Sequence, residues 1–251
     1  MIDSLSEWSL NVLEVYSLKN RSLPYTYWYD FLRGELNDIP GDILEFGVFR
    51  GRTLATTAYC ASLAKVKRKV YGYDSFSGFP SDLDIKDHPD RFDDLLNSGS
   101  ITQLHYNMVQ KNREFLAVTG RSFETSNSSS SGNFSSTSLE FVTNKLNYLG
   151  LDNFVLVEGE ITDSLLEHNL PSQIAAIFLD ADLFKPYDVV LNKCWDLLSP
   201  GGIIYLDEYF SLKFPGPRIA VDSFISKHRN ARLICIEAPY NEFERWILRK
   251  V

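Results

Sequence analysis

The sequence predicts an α/β protein built on a doubly wound, mostly parallel β-sheet. From about residue 42 onward, short apolar stretches alternate with longer amphipathic ones, the pattern of parallel strands with helices on both faces. Each of the first five predicted strands ends in glycine or an acidic residue. The chain closes on two apolar stretches with no room for a helix between them, which indicates an antiparallel C-terminal hairpin.

The predicted elements follow one another along the chain. The parallel strands cover residues 42–47, 69–74, 153–158, 174–180 and 203–207, and helices between them begin near residues 51, 139, 161, 186 and 217. A chain of 251 residues, 44% of them hydrophobic, buries one substantial core. We therefore expect a single domain over residues 1–251.

Two regions lie outside this alternation. Residues 1–38 carry the aromatic stretch LPYTYWYDF, interpreted as helices that pack on the sheet or on a second subunit, so a homodimer is one expected assembly. Residues 81–138 form an insert with an acidic segment, a helix predicted at 102–118 and the run SNSSSSGNFSSTS. A serine-rich run buries little apolar area. It is either a solvated surface loop or a lid over the active site.

Composition and charge exclude several classes of protein. No apolar run approaches the roughly 20 residues that span a bilayer, and the start lacks the regions of a signal peptide, so a cytoplasmic location is expected. A formal net charge of -8 makes nucleic acid a poor partner. The three cysteines are far apart in sequence and are interpreted as small buried hydrophobic residues. No nucleophile-elbow or P-loop motif supports a hydrolase or a kinase.

The first strand leads into the sequence EFGVFRG, which predicts a cofactor-binding loop. Gly47 and Gly51 permit a sharp turn and a close approach of a ligand at a helix N-terminus. The spacing is not that of a dinucleotide site, because Phe49 would crowd a pyrophosphate and Glu45 would repel it. S-adenosylmethionine (SAM) carries an ammonium and a sulfonium, and Glu45 is placed to receive its methionine part directly or through water. The alternative is that Glu45 caps a turn. The predicted loop residues are Gly47, Val48, Phe49, Arg50 and Gly51.

The ends of the second and third strands extend the predicted cofactor site. Asp74, followed by Ser75, ends the second strand, where an acid accepts both ribose hydroxyls of a nucleoside. Its alternative role is to form a turn. Gly159 permits the backbone to lie against a flat ring, and Glu160 follows it at the position expected to meet an adenine.

Two acidic pairs end the fourth and fifth strands. Asp180 and Asp182 share a face of an extended chain, and Asp207 and Glu208 end the neighbouring strand about 4.8 Å away. Four carboxylates in one crevice repel one another unless a cation is present, and oxygen ligands favour Mg²⁺ or Mn²⁺. The alternative is that Asp182 caps the next helix while the second pair faces solvent. Among the four scattered histidines, only His105 is retained as a possible substrate-side base.

Taken together, these motifs resemble those of the macrocin-type sugar O-methyltransferases, a family with enzymes of macrolide and aminocoumarin antibiotic assembly. The resemblance covers roughly residues 42–224 apart from the insert and rests on ILEFGVFRGRTLA, VYGYDSFSGFP, IFLDADLFKPY, LSPGGIIYLDEY and FPGPRIAVDSF. It implies the class I SAM-methyltransferase fold. It also implies Mg²⁺ ligands at Asp180, Asp207 and Glu208, with Asp182 as the general base. The family usually has Asp where Glu208 stands.

The expected function is therefore SAM-dependent and Mg²⁺-dependent methylation of a small-molecule hydroxyl, on a sugar of a glycosylated natural product or a glycan precursor. Two alternatives remain open. A catechol-type metal-dependent O-methyltransferase would chelate two phenolic oxygens. A non-catalytic SAM-binding partner protein would keep the fold for binding alone.

Overall fold

The computed structural model describes residues 2–19, 25–167, 170–237 and 243–251. Its described strands form one seven-stranded sheet in the order β3-β2-β1-β4-β5-β7-β6. The strands are β1 Asp42–Phe46, β2 Val70–Asp74, β3 Phe154–Glu158, β4 Ile174–Leu179, β5 Leu198–Leu206, β6 Ala231–Glu237 and β7 Arg245–Lys250. The first five run parallel, and β7 runs antiparallel to both β5 and β6. The predicted fold class is confirmed.

Helices cover both faces of this sheet. In chain order they are α1 Glu7–Val12, α2 Thr26–Arg33, α3 Arg52–Leu63, α4 Arg91–Asn97, α5 Gln103–Val118, α6 Leu139–Tyr148, α7 Ile161–Glu167, α8 Phe184–Cys194 and α9 Gly216–Ile225. The hydroxyls of Thr102 and Ser138 accept backbone N–H bonds at the starts of α5 and α6, as N-cap side chains do. Within the described ranges, no helix is both long and apolar enough to cross a bilayer.

The strand order reverses at β1, and this reversal determines where a ligand can bind. From β1 the chain passes to β2 and β3 on one side, then crosses to β4 and β5 on the other. The helices that follow β1 and β4 therefore leave the sheet on opposite faces. A crevice opens between them at the carboxyl ends of the strands.

The two faces of the central strands pack into separate apolar layers. Ile43 and Phe178 face the layer formed with α2 and α3, whereas Leu44 and Ile177 face the layer formed with α8 and α9. All six residues of β4 are buried. A strand covered on both faces is continuously apolar. For this reason the sequence of β4 is an apolar run and does not alternate between apolar and polar residues.

The N-terminal region packs on its own sheet. Four aromatic or aliphatic side chains of α2 are buried, Trp28, Tyr29, Phe31 and Leu32, and the indole N–H of Trp28 donates to Thr57 Oγ1 at 3.0 Å. Residues 23 and 24 of the predicted aromatic stretch lie outside the described residues. These aromatic side chains pack inside the chain, so they do not indicate a second subunit. The homodimer stays a prediction.

The insert is folded against the rest of the chain. Thr137 Oγ1 donates to the carbonyl of Phe49, which follows β1, and the backbone N–H of Phe79 donates to the carbonyl of Asn133 at 2.9 Å. In the serine-rich run Ser128 and Ser129 are buried, and most of the other residues are exposed. The choice between a surface loop and a lid therefore stays a prediction.

Two local expectations are wrong. Strand β5 begins at Leu198, five residues before the predicted start, because Leu198 pairs with Ile174 across an irregular register. Cys60 and Cys194 are buried as expected, but Cys235 is exposed. Cys235 lies on β6, which is the edge strand of the sheet.

Candidate active site

A cavity of about 520 Å³ opens at the carboxyl ends of the central strands. It is lined by the loop after β1, by the ends of β2 and β4, by the start of α7, and by parts of the N-terminal region and the insert. The lining residues are Glu14, Tyr16, Tyr25, Gly47, Val48, Phe49, Arg50, Arg52, Thr53, Asp74, Ser75, Gly78, Phe79, Pro80, Ser130, Ser131, Phe134, Glu160, Ile161, Asp180, Ala181, Asp182, Leu183 and Pro186.

The loop after β1 combines a tight turn with close packing. Gly47 has a φ of 87°, and a Cβ there would overlap the carbonyl of Asp180, so only glycine fits between the ends of β1 and β4. Phe49 also has a left-handed φ, 49°, and its carbonyl accepts from Thr137 Oγ1 of the insert. Gly51, with a φ of 68°, precedes α3. The loop thus presents its backbone to the cavity at a helix N-terminus.

Asp74 organises this loop. Its Oδ2 accepts from the backbone N–H groups of Val48 and Phe49 at 2.7 and 2.8 Å, and its Oδ1 accepts from that of Phe76 at 2.7 Å. Asp74 therefore forms a turn, as the alternative interpretation held. Asp74 also lines the cavity, and its predicted ribose contact remains a prediction.

Glu45 lies behind the loop, away from the cavity lining. It shares the face of β1 with Ile43 because strand side chains alternate, and only 1% of it is exposed. Burial raises its pKa well above the ordinary value, whereas the backbone N–H of Leu54 and the charge of Lys145 lower it. Its Oε2 is buried without a hydrogen-bond partner among the described residues. Of the two routes to a methionine ammonium, this position favours the one through water.

The third strand end contributes one of its two predicted residues. Glu160 lines the cavity, and burial raises its pKa. Gly159 is not among the lining residues; it has a φ of 140°, with Ser164 Oγ close behind it. Gly159 therefore supports the turn that presents Glu160.

The acids after β4 and β5 converge beside the cavity, where Asp180 belongs to the lining and Asp207 and Glu208 lie outside it. Asp180, Asp207 and Glu208 each place a carboxylate oxygen within 4.8 Å of the other two; we call these three residues the acidic triad. Burial raises the pKa of Asp180, and the charges of Asp207 and Asp182 raise it further. Burial also raises the pKa of Glu208. Only 7% of Asp207 is exposed, so the solvent-facing alternative is wrong for it.

Two cations face this group of acids. Arg245 Nη1 donates to Asp207 Oδ1 at 3.0 Å in a largely buried ion pair. Burial lowers the pKa of Lys213, but the surrounding carboxylates, Glu208 first, raise it above the ordinary value. Four carboxylates thus face two cationic side chains, which leaves a formal excess of two negative charges.

Asp182 has an unusual backbone conformation. Its φ is 59°, and the N–H of Leu183 donates to the carbonyl of Ala181 at 2.6 Å, which closes a tight turn around it. It does not cap α8, because Asp87 Oδ1 instead accepts from the N–H of Phe184 at 2.7 Å. The carboxylate of Asp182 is therefore available to the cavity. Burial raises its pKa well above the ordinary value, and the charge of Glu208 adds to the effect.

The position of His105 shows that its interpretation as a substrate-side base was wrong. Its Nε2 lies 2.7 Å from the carbonyl of Ser211, and its ring stacks on that of Phe210 at 3.9 Å. Burial lowers its pKa. It joins the insert to the loop before α9, outside the cavity lining. Of the other histidines, His168 lies outside the described residues.

Several residues of the site were not predicted from the sequence. Tyr16 and Tyr25 line the cavity from the N-terminal region, and Phe79 and Phe134 line it near the insert. Arg245 reaches the acidic triad from β7. The aromatic richness of residues 23–31 was visible in the sequence, but no spacing rule connects it to strand ends far along the chain.

The strand order, the loop after β1 and the acidic strand ends define a class I SAM-dependent methyltransferase fold. The model of the family described as macrocin-O-methyltransferase (TylF) matches residues 33–120 and 122–238, and the chain belongs to this family. The match includes the insert, which corrects the narrower extent of the resemblance seen in the motifs. It leaves residues 1–32 unmatched.

The chain is also similar to a curated methyltransferase in sequence and to solved methyltransferase structures in fold. The chain is 28% identical over 193 residues to a mycinamicin III 3''-O-methyltransferase of Micromonospora griseorubida, a match over 76% of this chain and 62% of that enzyme. It therefore spans less than two thirds of the relative's length. Among solved structures, the O-methyltransferase NovP has a TM-score of 0.60 at 19% identity, with 90% of this chain and 80% of that chain covered. The calicheamicin methyltransferase CalS11 has a TM-score of 0.59 at 21% identity, with 96% and 90% covered.

Proposed function

We propose that this protein transfers the methyl group of SAM to a hydroxyl of a sugar, assisted by a divalent metal ion. The observation that carries the proposal is the acidic triad, whose Asp180 lines the same cavity as the loop after β1. Family membership supports the reaction. The mycinamicin relative is a 3''-O-methyltransferase, which supports a sugar hydroxyl as the acceptor.

SAM is proposed to lie along the carboxyl ends of β1 to β3. The loop after β1 presents backbone N–H groups at the start of α3, where an anionic carboxylate is favoured. Asp74 and Glu160 line the same cavity, and we infer that Asp74 would meet the ribose and Glu160 the adenine. The methyl group would then point toward Asp180 and Asp182.

The donor set fits Mg²⁺ or Mn²⁺. Three carboxylates supply oxygen ligands only, and hard divalent cations prefer these. Their crowding in a buried site opposes simultaneous ionisation, and Arg245 and Lys213 offset only part of the charge, so a divalent cation suits the remainder. Asp180, Asp207 and Glu208 would hold it. Glu208 replaces the usual Asp of the family, yet its carboxylate oxygen lies within the same 4.8 Å set.

Asp182 is proposed to be the general base. The metal ion, when bound, lowers the pKa of a coordinated hydroxyl. Asp182 lies two residues after Asp180 and lines the cavity, so it can accept the proton of that hydroxyl as the oxygen attacks in line. A carboxylate with a raised pKa is the better proton acceptor once ionised. Phe79 and Phe134 line the same cavity and would limit the access of water.

The test is methyl transfer to a matched set of acceptors. Purified protein with SAM is incubated with methyl glycosides of rhamnose and glucose and with catechol, in Mg²⁺ or in excess EDTA, and products are detected by mass spectrometry. We expect transfer to a glycoside in Mg²⁺ and loss of transfer in EDTA. Preferential methylation of catechol would favour a catechol-type enzyme. SAM binding without transfer to any acceptor would favour a non-catalytic partner protein.

A further inference from the structure

We propose that Tyr16 and Tyr25, in the N-terminal region that precedes the family match, form the wall of the cavity that recognises the acceptor sugar. This inference rests on the proposed function and deepens it. The segment that carries them is residues 14–16 together with the start of α2. It contributes Glu14, Tyr16 and Tyr25 to the cavity lining.

The location of Tyr25 places this wall at the acceptor end of the cavity. Its ring packs edge-on against Phe178 of β4 at 5.1 Å and against Tyr205 of β5 at 5.9 Å. These are the two strands whose ends carry the acidic triad. The ring of Tyr16 lies 5.5 Å from that of Tyr25, also edge-on. A hydroxyl held at the triad therefore lies beside two aromatic rings.

The electrostatic surroundings of the two phenols agree with this location. Burial raises the pKa of Tyr16 and of Tyr25, and the charges of Asp180 and Asp207 raise both further. The carboxylates that act on them are thus those at the ends of β4 and β5. At neutral pH both phenols are protonated, and a side-chain hydrogen bond joins Tyr16 to Tyr25.

The position of Tyr16 is fixed by contacts on either side of it. Its backbone N–H donates to Thr56 Oγ1 of α3 at 3.0 Å, and the guanidinium of Arg52 lies 4.4 Å above its ring. Arg50 Nε donates to the carboxylate of Glu14 at 2.9 Å, and Lys145 Nζ donates to the carbonyl of Glu14 at 2.8 Å. The segment is therefore anchored to α3, to the loop after β1 and to α6. A wall held at this many points can select by shape.

The chemistry of the wall suits a pyranose. A sugar ring presents C–H groups on its faces and hydroxyls at its rim, and a tyrosine offers an apolar ring with one polar end. One sugar hydroxyl would lie at the triad, while a neighbouring rim hydroxyl accepts a hydrogen bond from a phenol. Because residues 1–32 lie outside the family match, acceptor choice in this chain depends on a part that the matched region does not include.

Tyr16→Phe and Tyr25→Phe test the inference, since each removes a single oxygen and keeps the ring. Each is expected to raise the KM for methyl rhamnopyranoside about tenfold, the effect of losing one hydrogen bond. The Kd of S-adenosylhomocysteine, measured by calorimetry, should stay within about twofold. The matched control is Tyr27→Phe, because the Tyr27 hydroxyl accepts from Arg249 at 3.0 Å and does not line the cavity. It should change neither quantity.

A second measurement keeps the inference separate from the proposed function. Saturation-transfer NMR of methyl rhamnopyranoside, with S-adenosylhomocysteine present, reports acceptor binding without turnover, and we expect the signal to fall in both variants. Weaker S-adenosylhomocysteine binding with unchanged KM would assign Tyr16 to the cofactor site and overturn the inference. If the wild type methylates none of the glycosides, the proposed function fails, and the Kd of the variants still decides whether Tyr16 contacts the cofactor.

Discussion

Asp182 combines backbone strain with a buried carboxylate. A left-handed φ at a residue other than glycine costs of order 1–3 kcal/mol and persists where the surrounding structure imposes it. The hydrogen bond from the N–H of Leu183 to the carbonyl of Ala181 imposes this φ on Asp182. Asp and Asn tolerate this conformation better than most residues. Asparagine is therefore the substitution that removes the charge and keeps the turn.

We expect Asp182→Asn to lower kcat by about 10² to 10⁴ while leaving SAM affinity intact, because a general base contributes to the rate and not to cofactor binding. Excess Mg²⁺ should not restore the rate. Steady-state kinetics and calorimetry measure the two quantities. Asp188→Asn on α8 is the control, since Asp188 accepts from Asn192 and does not line the cavity. Wild-type turnover in Asp182→Asn would refute the base assignment.

The acidic triad should respond differently. Replacement of Asp180, Asp207 or Glu208 by Ala is expected to lower Mg²⁺ affinity by at least about tenfold, because each removes a ligand oxygen. Raised Mg²⁺ should recover part of the lost rate. Calorimetric titration with Mg²⁺ in the absence of acceptor is the measurement, and Asp30→Ala, an exposed partner of Arg33, is the control. Unaltered Mg²⁺ binding in all three variants would exclude the triad as the metal site.

At the scale of elements, the insert is joined to α8 through one buried carboxylate. Asp87 belongs to the insert, and its carboxylate accepts a hydrogen bond from the N–H of Phe184 at the start of α8. Only 2% of Asp87 is exposed. Its neighbour across the contact is Gly216, where a Cβ would overlap Asp87 Oδ1. Burial raises the pKa of Asp87 to about 7. The docking of the insert therefore carries a titratable group.

This group predicts a pH dependence of stability. Unfolded aspartate releases its proton near pH 3.9, whereas Asp87 in the folded chain holds it to about pH 7. Between these values the folded state binds more protons, so its stability falls as the pH rises. Relative to Asp87→Asn, the wild type should lose about 2 kcal/mol of unfolding free energy between pH 5 and pH 7.5. Urea unfolding at both pH values measures this, and parallel profiles for the two proteins would contradict it.

At the scale of the whole molecule, the proposed cofactor site lies between the two apolar layers of the sheet. The loop after β1 enters α3 on one face, and the loop after β4 enters α8 on the other. A ligand that contacts both loops at the strand ends stabilises the folded state as a unit.

We therefore expect SAM to raise the thermal midpoint and NAD to leave it unchanged. At a concentration about 100 times its Kd, SAM adds about 2.7 kcal/mol, or roughly 5–10 °C for a chain of this size. The effect should not require Mg²⁺, because the proposed metal ligands lie at the other end of the cavity. Differential scanning calorimetry with and without EDTA is the measurement. An equal shift with NAD would point to a dinucleotide site.

The sequence by itself determined the sheet, the loop after β1 and the four acids. Strands covered on both faces are visible as apolar runs, and turns at their ends require glycine or acids, so local pattern is enough. The ends of parallel strands meet at one edge of a sheet. For that reason Asp180 and Glu208, which are 28 positions apart in the sequence, were predicted to lie together.

The tertiary structure alone decided which other groups reach that edge. Tyr16 and Arg245 come from opposite ends of the chain, and the ordered insert is held by carbonyl contacts that composition does not reveal. The surroundings of Glu45 also depend on the tertiary structure. Strand alternation shows that its side chain shares a face with Ile43, but it does not show which helices cover that face. Contacts between distant segments depend on how whole elements pack, and no local pattern encodes them.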